Sequence, residues 1–337
     1  MRRIHADTVI TSPARVVFVL YAAFVLAACG SANGPGYPDV AVLYNRDSTL
    51  IHQNAVSLQN SSRYFYSLHP DQYDFLVFFT AETLNPAEVA GMDVHPAYYV
   101  TVRNDVEGIG FPDNYDVGTS YGSTSRLQGV IYLGAIDSHF AADDLTILPS
   151  YFYTLAHEVA HRFGIYATYD SAGVHTHRLL DNYRDHWTLQ MDNGGSPMGG
   201  CDWRDNGDGT FTVMEIWTGL YSWFDLYLMG LASPSEVNPV RMLVLDPKPL
   251  HVQIGETYPA TTWEADITNI IKAEGQRFPP YGTAPDTWRM AFILVARTTR
   301  DVSDVSVERL DQLRTAWPGR FHDLTRGRGT MMTNLGY

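Results

Sequence analysis

The chain has 337 residues, of which 45% are hydrophobic and 18% are charged, as is typical of a globular protein. Its formal net charge is −14 and Lys248 and Lys272 are its only lysines, which argues against a nucleic-acid partner because phosphate binding needs clustered positive charge. Two cysteines, Cys29 and Cys201, cannot form a disulfide framework, so burial must hold the core together.

The N-terminus predicts a lipoprotein signal peptide over residues 1–28. A basic leader precedes an apolar run, Val16 to Ala28, that is too short to span a bilayer. The run leads into Cys29 in a pattern that resembles the bacterial lipobox, in which the cysteine is lipidated; the alternative is an ordinary secretory signal with a coincidental cysteine. Residues 29–39 then predict a flexible tether. We therefore expect attachment to the membrane through lipid at Cys29, at the outer membrane or cell surface of a bacterium.

Between residues 40 and 135 the pattern predicts one helix and four strands. A short strand starts at Val40, and a helix covers Thr49–Tyr66 with apolar residues on one side. Three runs rich in Val, Tyr, Phe and Ile predict the next strands, at Asp74–Thr80, Ala97–Arg103 and Val130–Ala135. The second of these alternates in character, which is typical of an edge strand.

The stretch from His157 to His161 has the sequence His-Glu-Val-Ala-His. On a helix, residues four apart share a face, so both imidazoles can bind one Zn²⁺ while Glu158 reaches an activated water. A start near Pro149, a stop at Gly164 and an apolar stripe at spacing four support a helix here. The alternative is a buried core helix that happens to carry two histidines.

Residues 165–219 are rich in glycine and predict loops. Within them, the run from Asp205 to Thr210 crowds oxygen atoms as a calcium loop does, but it lacks the EF-hand spacing. Asn-Gly and Asp-Gly pairs before Thr-Phe-Thr predict a β-hairpin instead, and we favour the hairpin.

A catalytic zinc needs a third protein ligand. The position at which metzincin proteases place a third histidine holds Ala167, so the ligand must lie further downstream, among His175, His177, Asp181, His186, Glu215 and Asp225. We favour Asp225, because it lies in an apolar helical run, 221–231, where a buried carboxylate is costly without a counter-charge or a metal. The alternative is that Asp225 only caps that helix, since Ser222 and Asp225 have capping-box spacing.

His186 is the second choice for the third ligand. It is also a catalytic candidate that stabilises the oxyanion, a role for which Tyr221 and Tyr227 are alternatives.

The C-terminal part predicts further strands at Arg241–Leu245 and Arg289–Ala296 and helices at Asp266–Ala273 and Ser306–Trp317, the last stopped by Pro318-Gly319. We expect a catalytic domain over residues 40–235. Residues 236–337 would form a C-terminal α/β extension, either as a separate module or as part of the same domain.

The chain resembles a family of bacterial HExxH zinc metallopeptidases, many of them predicted lipoproteins, of gluzincin or aspzincin type. The resemblance runs from Val40 to the C-terminus and rests on residues 73–79, 108–110, 127–131, 157–162, 186–187, 202–212 and 225–231. It implies an α+β, zincin-like fold with a mixed sheet packed on the HExxH helix, and it implies proteolysis. In zincin domains an edge strand commonly holds the peptide by β-augmentation.

The sequence therefore predicts a lipid-anchored zinc endopeptidase that acts on a protein or peptide substrate. Zn²⁺ on His157, His161 and Asp225 would activate a water and polarise the scissile carbonyl, and Glu158 would transfer the water's proton to the leaving amine. One alternative is a surface binding or adhesion lipoprotein whose structural zinc has four protein ligands. Another is a zinc amidase that acts on cell wall, whose cleft would be too narrow for an extended peptide.

Overall fold

The computed structural model of the protein describes residues 33–34, 36–87, 97–111, 113–137, 148–249 and 251–336. The predicted signal peptide and Cys29 lie outside the described residues. Over the described residues the chain is an α+β fold with several sheets and five α-helices, none of them long and apolar enough to cross a membrane.

The helices are α1 (Leu58–Leu68), α2 (Leu148–Ala160), α3 (Trp223–Met229), α4 (Ile267–Glu274) and α5 (Asp304–Leu324). The strands, numbered along the chain, are β1 (Asn33–Gly34), β2 (Tyr37–Tyr44), β3 (Ile51–His52), β4 (Ala55–Val56), β5 (Phe75–Thr80), β6 (Asn85–Pro86), β7 (Tyr98–Thr101), β8 (Arg103–Asn104), β9 (Tyr115–Asp116), β10 (Gly129–Ala135), β11 (Tyr169–Ser171), β12 (Val174–Thr176), β13 (Trp187–Asp192), β14 (Gly199–Asp205), β15 (Thr210–Glu215), β16 (Val240–Val244), β17 (Thr257–Pro259), β18 (Thr261–Ala265), β19 (Thr287–Ala296) and β20 (Thr330–Met332).

The larger sheet is mixed and has the strand order β1-β2-β19-β5-β10-β7, with β20 paired to β19. Strands β2, β19, β5 and β10 run parallel to one another, whereas β7 lies antiparallel to β10 at one end of the order. The run predicted as an edge strand at Ala97–Arg103 is thus confirmed in that position. Strand β1 pairs with β2, which starts at Tyr37, so β1 and the first residues of β2 lie inside the segment predicted as a flexible tether.

Both faces of this sheet are covered, which explains why β5 is apolar at nearly every position. Phe75, Val77 and Phe79 pack into the core that contains residues of α2 and α5. Leu76 and Phe78 point to the opposite face and pack with residues of α1. A parallel strand buried on both faces needs such a continuous apolar run rather than an alternating one.

Helix α2 follows the predicted pattern. Its stripe of four bulky side chains is buried and packs under the sheet: Tyr151, Leu155, Val159 and Phe163. The last turn, His161–Phe163, is a 3₁₀ turn, and Gly164 ends it with φ of 112°, a conformation that favours glycine.

Two predicted helix boundaries are wrong. Helix α1 begins at Leu58 rather than Thr49, because the Asn45 side chain accepts from the backbone amides of Leu50 and Ile51 and holds them in an extended segment. Helix α5 does not stop at Pro318 but continues to Leu324. Trp317 and Phe321 are fully buried on either side of the proline, and their packing outweighs the roughly 3 kcal/mol that an interior proline costs.

The second sheet has the order β17-β15-β14-β13-β16-β18 and its own small core around Cys201, a free buried thiol, and Trp203. The predicted hairpin is confirmed as β14 and β15, and its turn is closed by Asp205 and Asp208, which accept from nearby backbone amides. Residues beyond 235 supply β16, β17 and β18 to this sheet and β19 and β20 to the larger one.

Candidate metal centre

Three histidines bring their ring nitrogens together next to helix α2. His157 lies in the last full turn of α2, His161 opens the 3₁₀ turn that follows, and His186 immediately precedes β13. The Nε2 atom of His157 lies 3.2 Å from Nε2 of His161 and 3.1 Å from Nε2 of His186. One ligand atom from each residue lies within 4.8 Å of the other two.

The protonation of two of these rings is set by the partners of their other nitrogens. His157 Nδ1 lies 2.8 Å from the carbonyl oxygen of Pro197, and His186 Nδ1 lies 2.8 Å from a carboxylate oxygen of Asp185. Both partners can only accept, so each Nδ1 donates, and Nε2 is the unprotonated nitrogen whenever the ring is neutral. Burial lowers the pKa of His186, but the hydrogen bonds and charges of Asp185 and Asp181 raise it above its usual value.

When both rings are neutral, these contacts leave Nε2 of His157 and Nε2 of His186 as acceptors that face each other. Two unprotonated Nε2 atoms 3.1 Å apart repel each other unless a cation, either a metal ion or a shared proton, lies between them. A proton is shared by two rings, whereas a third imidazole, that of His161, converges here as well. Three imidazoles around one point are the donor set of a transition metal ion.

The spacing also fits zinc. Zn–N distances of about 2.0–2.1 Å with tetrahedral angles place ligand nitrogens about 3.3 Å apart. The observed 3.1 and 3.2 Å are close to that value. Burial, together with the neighbouring His157 and His186, lowers the pKa of His161 to about 3, so its ring is neutral near pH 7, as a metal ligand must be.

Glu158 lies beside the cluster and is 6% exposed. Burial raises the pKa of its carboxyl to about 8, and the charge of His186 opposes that rise. Tyr166 is within electrostatic reach of this carboxyl: burial raises the pKa of the phenol, and the negative charges of Asp185 and Glu158 raise it further. A buried carboxyl with a phenol nearby is a plausible pair for moving a proton.

A cavity of about 830 Å³ lies on the side of the cluster formed by His157 and His186. Tyr153 on α2 and the exposed side chains of Lys248 and His251 also line it. On the other side, the ring of Tyr99 on edge strand β7 stacks on His161 with centroids 6.5 Å apart. The cluster therefore lies between an open cavity and β7, the last strand in the order of the larger sheet as the described residues define it.

The prediction that Asp225 supplies the third ligand is wrong. One carboxylate oxygen accepts from Trp187 Nε1 at 2.7 Å; the other accepts from Ser196 Oγ at 2.6 Å and from the backbone amide of Ser222 at 2.7 Å. Ser222 and Asp225 form a complete capping box at the start of α3. Burial raises the pKa of Asp225, and the bonds from Ser196, Ser222 and Trp187 oppose that rise.

Asp225 therefore caps helix α3, as the alternative interpretation of the sequence predicted. It also helps to position the histidine cluster. Trp187 follows His186, and Ser196 precedes Pro197, whose carbonyl oxygen accepts from His157. The carboxylate therefore ties both segments that support the histidines to the start of α3.

The other predicted site residues lie outside the cluster, with one partial exception. His175, His177 and Glu215 are exposed. A carboxylate oxygen of Asp181 lies 3.4 Å from Nδ1 of His186, the histidine whose Nε2 faces the cluster. The oxyanion candidates Tyr221 and Tyr227 are buried and engaged elsewhere: Tyr221 donates to the Ala156 carbonyl, and Tyr227 accepts from the Arg277 amide.

Two contributors were not predicted. Asp185 orients His186, and the only signal for it is that an acidic residue precedes a candidate histidine. The Pro197 carbonyl orients His157 through a contact that spans 40 positions, for which the sequence carries no signal.

Comparison of the chain with protein-family models, with curated proteins and with solved structures finds no match in any of the three. The case for a function therefore depends on the site itself.

Proposed function

We propose that the protein is a zinc-dependent endopeptidase. The observation that supports this most is the convergence of three imidazole nitrogens at the HExxH helix, with Glu158 buried beside them. His157, His161 and His186 would hold Zn²⁺. Three protein ligands with room for a water is the arrangement of catalytic rather than structural zinc sites.

The number of ligands separates this proposal from that of a structural zinc site in a binding lipoprotein. A structural site is closed by four protein ligands. Among the described residues, the ligand atoms that gather at this point come from three histidines alone. The neighbouring carboxylates of Asp181 and Asp185 face Nδ1 of His186, on the far side of that ring from the cluster.

Bound zinc supplies Lewis-acid activation of a water and of a carbonyl group. Glu158 is the one carboxylate in the HExxH turn, and it takes the proton of the attacking water and delivers it to the leaving amine. Its burial keeps bulk water away from the transferred proton and favours the protonated form that the second half of the reaction needs.

The surroundings of the cluster favour a peptide over a small amide as substrate. Strand β7 is an antiparallel edge strand beside His161, and an extended peptide can add to such an edge through backbone hydrogen bonds. The cavity beside His157 and His186 is large enough for a substrate side chain. A cell-wall amidase with a narrow cleft would have neither feature.

The proposed location is the cell envelope, with Cys29 as the lipid attachment point. The substitution Cys29→Ser removes the thiol that would carry the lipid, so we expect the protein to move from the membrane fraction to the soluble fraction. Cys201→Ser is the matched control, because this thiol is buried. Unchanged fractionation of the Cys29 variant would contradict the anchor without affecting the peptidase proposal.

The peptidase proposal is tested with Glu158→Gln, which removes the base and leaves all three imidazoles. We expect peptide hydrolysis to fall by about 10²–10⁴-fold while zinc content stays at the wild-type level. Glu215→Gln changes an exposed glutamate in the same way and should leave both quantities unchanged. Equal activity of Glu158→Gln and wild type would rule out this mechanism.

A further inference from the structure

Two buried arginines lie behind the histidine cluster with too little negative charge to balance them. Arg162, the residue after His161, is 1% exposed, and Arg277 is 3% exposed. Both line one small cavity of about 80 Å³, next to Phe163 and Trp288. Asp105 is the only carboxylate among the described residues of that lining, and its side chain is 61% exposed.

Not every nitrogen of the Arg162 guanidinium has a hydrogen-bond acceptor among the described residues. Its Nε donates to the Gln128 side chain at 2.7 Å and its Nη2 to Asp105 at 2.6 Å. Its Nη1 is buried and has no hydrogen-bond partner among the described residues. An unpaired donor on a buried, permanently charged group is costly, so a structure that retains one calls for a partner.

The donors of Arg277 go to neutral acceptors only. Its guanidinium donates to the backbone carbonyls of Leu228, Met229 and Pro279. These bonds use three of its five N–H groups, and none of the three acceptors supplies a negative charge. Burial and the nearby charge of Arg162 lower the pKa of Arg277 to about 10, so the Arg277 guanidinium is still positive at neutral pH.

We propose that this cavity binds a small inorganic anion, of which chloride is the simplest, between the Arg162 and Arg277 guanidiniums. The anion would accept from Arg162 Nη1 and supply the missing negative charge. The cavity volume excludes a peptide or a nucleotide, yet exceeds the roughly 10–15 Å³ that one water needs. Apolar walls from Phe163 and Trp288 suit a weakly hydrated anion better than a strongly hydrated carboxylate.

The site joins two elements behind the metal centre. Arg162 continues the turn that carries His161, whereas Arg277 caps the C-terminal carbonyls of α3, the helix whose first turn contains Asp225. A bound anion would hold these two elements together. The proposal is independent of zinc and of peptidase activity.

The test compares thermal unfolding in sodium chloride and in sodium gluconate at equal ionic strength, on protein stripped of metal with a chelator. Gluconate is too large for the cavity, so we expect a saturable rise of roughly 2–4 °C in the unfolding midpoint with chloride alone, the size expected for a ligand at about ten times its Kd. Asp105→Asn removes the exposed competing carboxylate and should enlarge the chloride effect; Arg162→Gln should abolish it.

Since Arg162→Gln could fail to fold, a second measurement uses wild-type crystals soaked in sodium bromide. An anomalous peak between the two guanidiniums is the expected result. Equal unfolding midpoints in the two salts, together with no bromide peak in this cavity, would overturn the proposal and indicate that only water fills it. Loss of peptidase activity in any of these proteins has no bearing on the outcome.

Discussion

The histidine cluster and the Asp225 carboxylate are neighbouring polar centres with opposite hydrogen-bonding needs. At the cluster, imidazole nitrogens face one another at 3.1 and 3.2 Å, and Nε2 of His157 and of His186 are acceptors when those rings are neutral. At Asp225, three donors surround one carboxylate at 2.6 to 2.7 Å. A cation bound between the rings would relieve the first arrangement, whereas the second is complete without one. Satisfaction of hydrogen bonds, rather than burial alone, therefore separates a candidate metal ligand from a structural carboxylate.

The two centres are also coupled, because the same short segments serve both. His186 and Trp187 are consecutive, as are Ser196 and Pro197, and in each pair one residue contacts the cluster and the other contacts Asp225. Asp225 thus positions the third histidine without touching the point where the nitrogens meet.

The largest expected effect comes from removing His186. Zinc binding of about 10–16 kcal/mol shared among four ligands gives about 3–4 kcal/mol per ligand, so His186→Ala should weaken zinc binding by about 10²–10³-fold. Asp225→Asn keeps an acceptor and should weaken it by about tenfold at most, as expected for an outer-sphere partner. Competition with a chromophoric chelator measures both. If the two variants lost zinc equally, the distinction between the centres would fail.

The folding stability of Asp225→Ala tests whether the Asp225 carboxylate is a structural centre. Without the carboxylate, Trp187 Nε1, Ser196 Oγ and the Ser222 amide are left buried and unpaired, at about 1–3 kcal/mol each. We expect the free energy of unfolding in urea to fall by about 3–5 kcal/mol, with or without zinc. Asp208→Ala, in the exposed hairpin turn, is the matched control and should change the urea midpoint little. A stable Asp225→Ala would show that these hydrogen bonds do not hold the segments.

A smaller loss of zinc affinity than that of His186→Ala is expected for Asp185→Asn. Loss of the charged acceptor at His186 Nδ1 should lower zinc affinity by about 10–100-fold, since outer-sphere carboxylates fix the orientation and basicity of a ligating imidazole. Asp181→Asn, whose oxygen is 3.4 Å from the same nitrogen, should have a weaker effect. The reverse order would mean that Asp181 is the true partner of His186.

The sequence was informative wherever local chemistry determines the outcome. The HExxH spacing, the apolar stripe of α2 and the runs that form β5, β10 and β19 are periodic patterns, and each lies within a few residues of its predicted position. The α5 boundary was wrong because the packing of Trp317 and Phe321 overrides the local effect of Pro318.

The third histidine could not be chosen from the sequence, because the choice depends on how a long loop folds back. Six downstream residues had suitable side chains, and Asp225 had the strongest argument since a carboxylate in an apolar helix needs compensation. Its compensation comes from donors at residues 187 and 196, far along the chain. The burial of Asp225 was predictable from the sequence. The identity of its hydrogen-bond donors could be read only from the folded structure.

The most direct test of the account is a crystal structure of the zinc-loaded protein with data collected on both sides of the zinc absorption edge. The account predicts a single zinc with the Nε2 atoms of His157, His161 and His186 about 2.0–2.1 Å away, no oxygen of Asp225 among the ligands, and a fourth position without a protein ligand. Zinc bound elsewhere, or closed by a fourth side chain at this point, would contradict it.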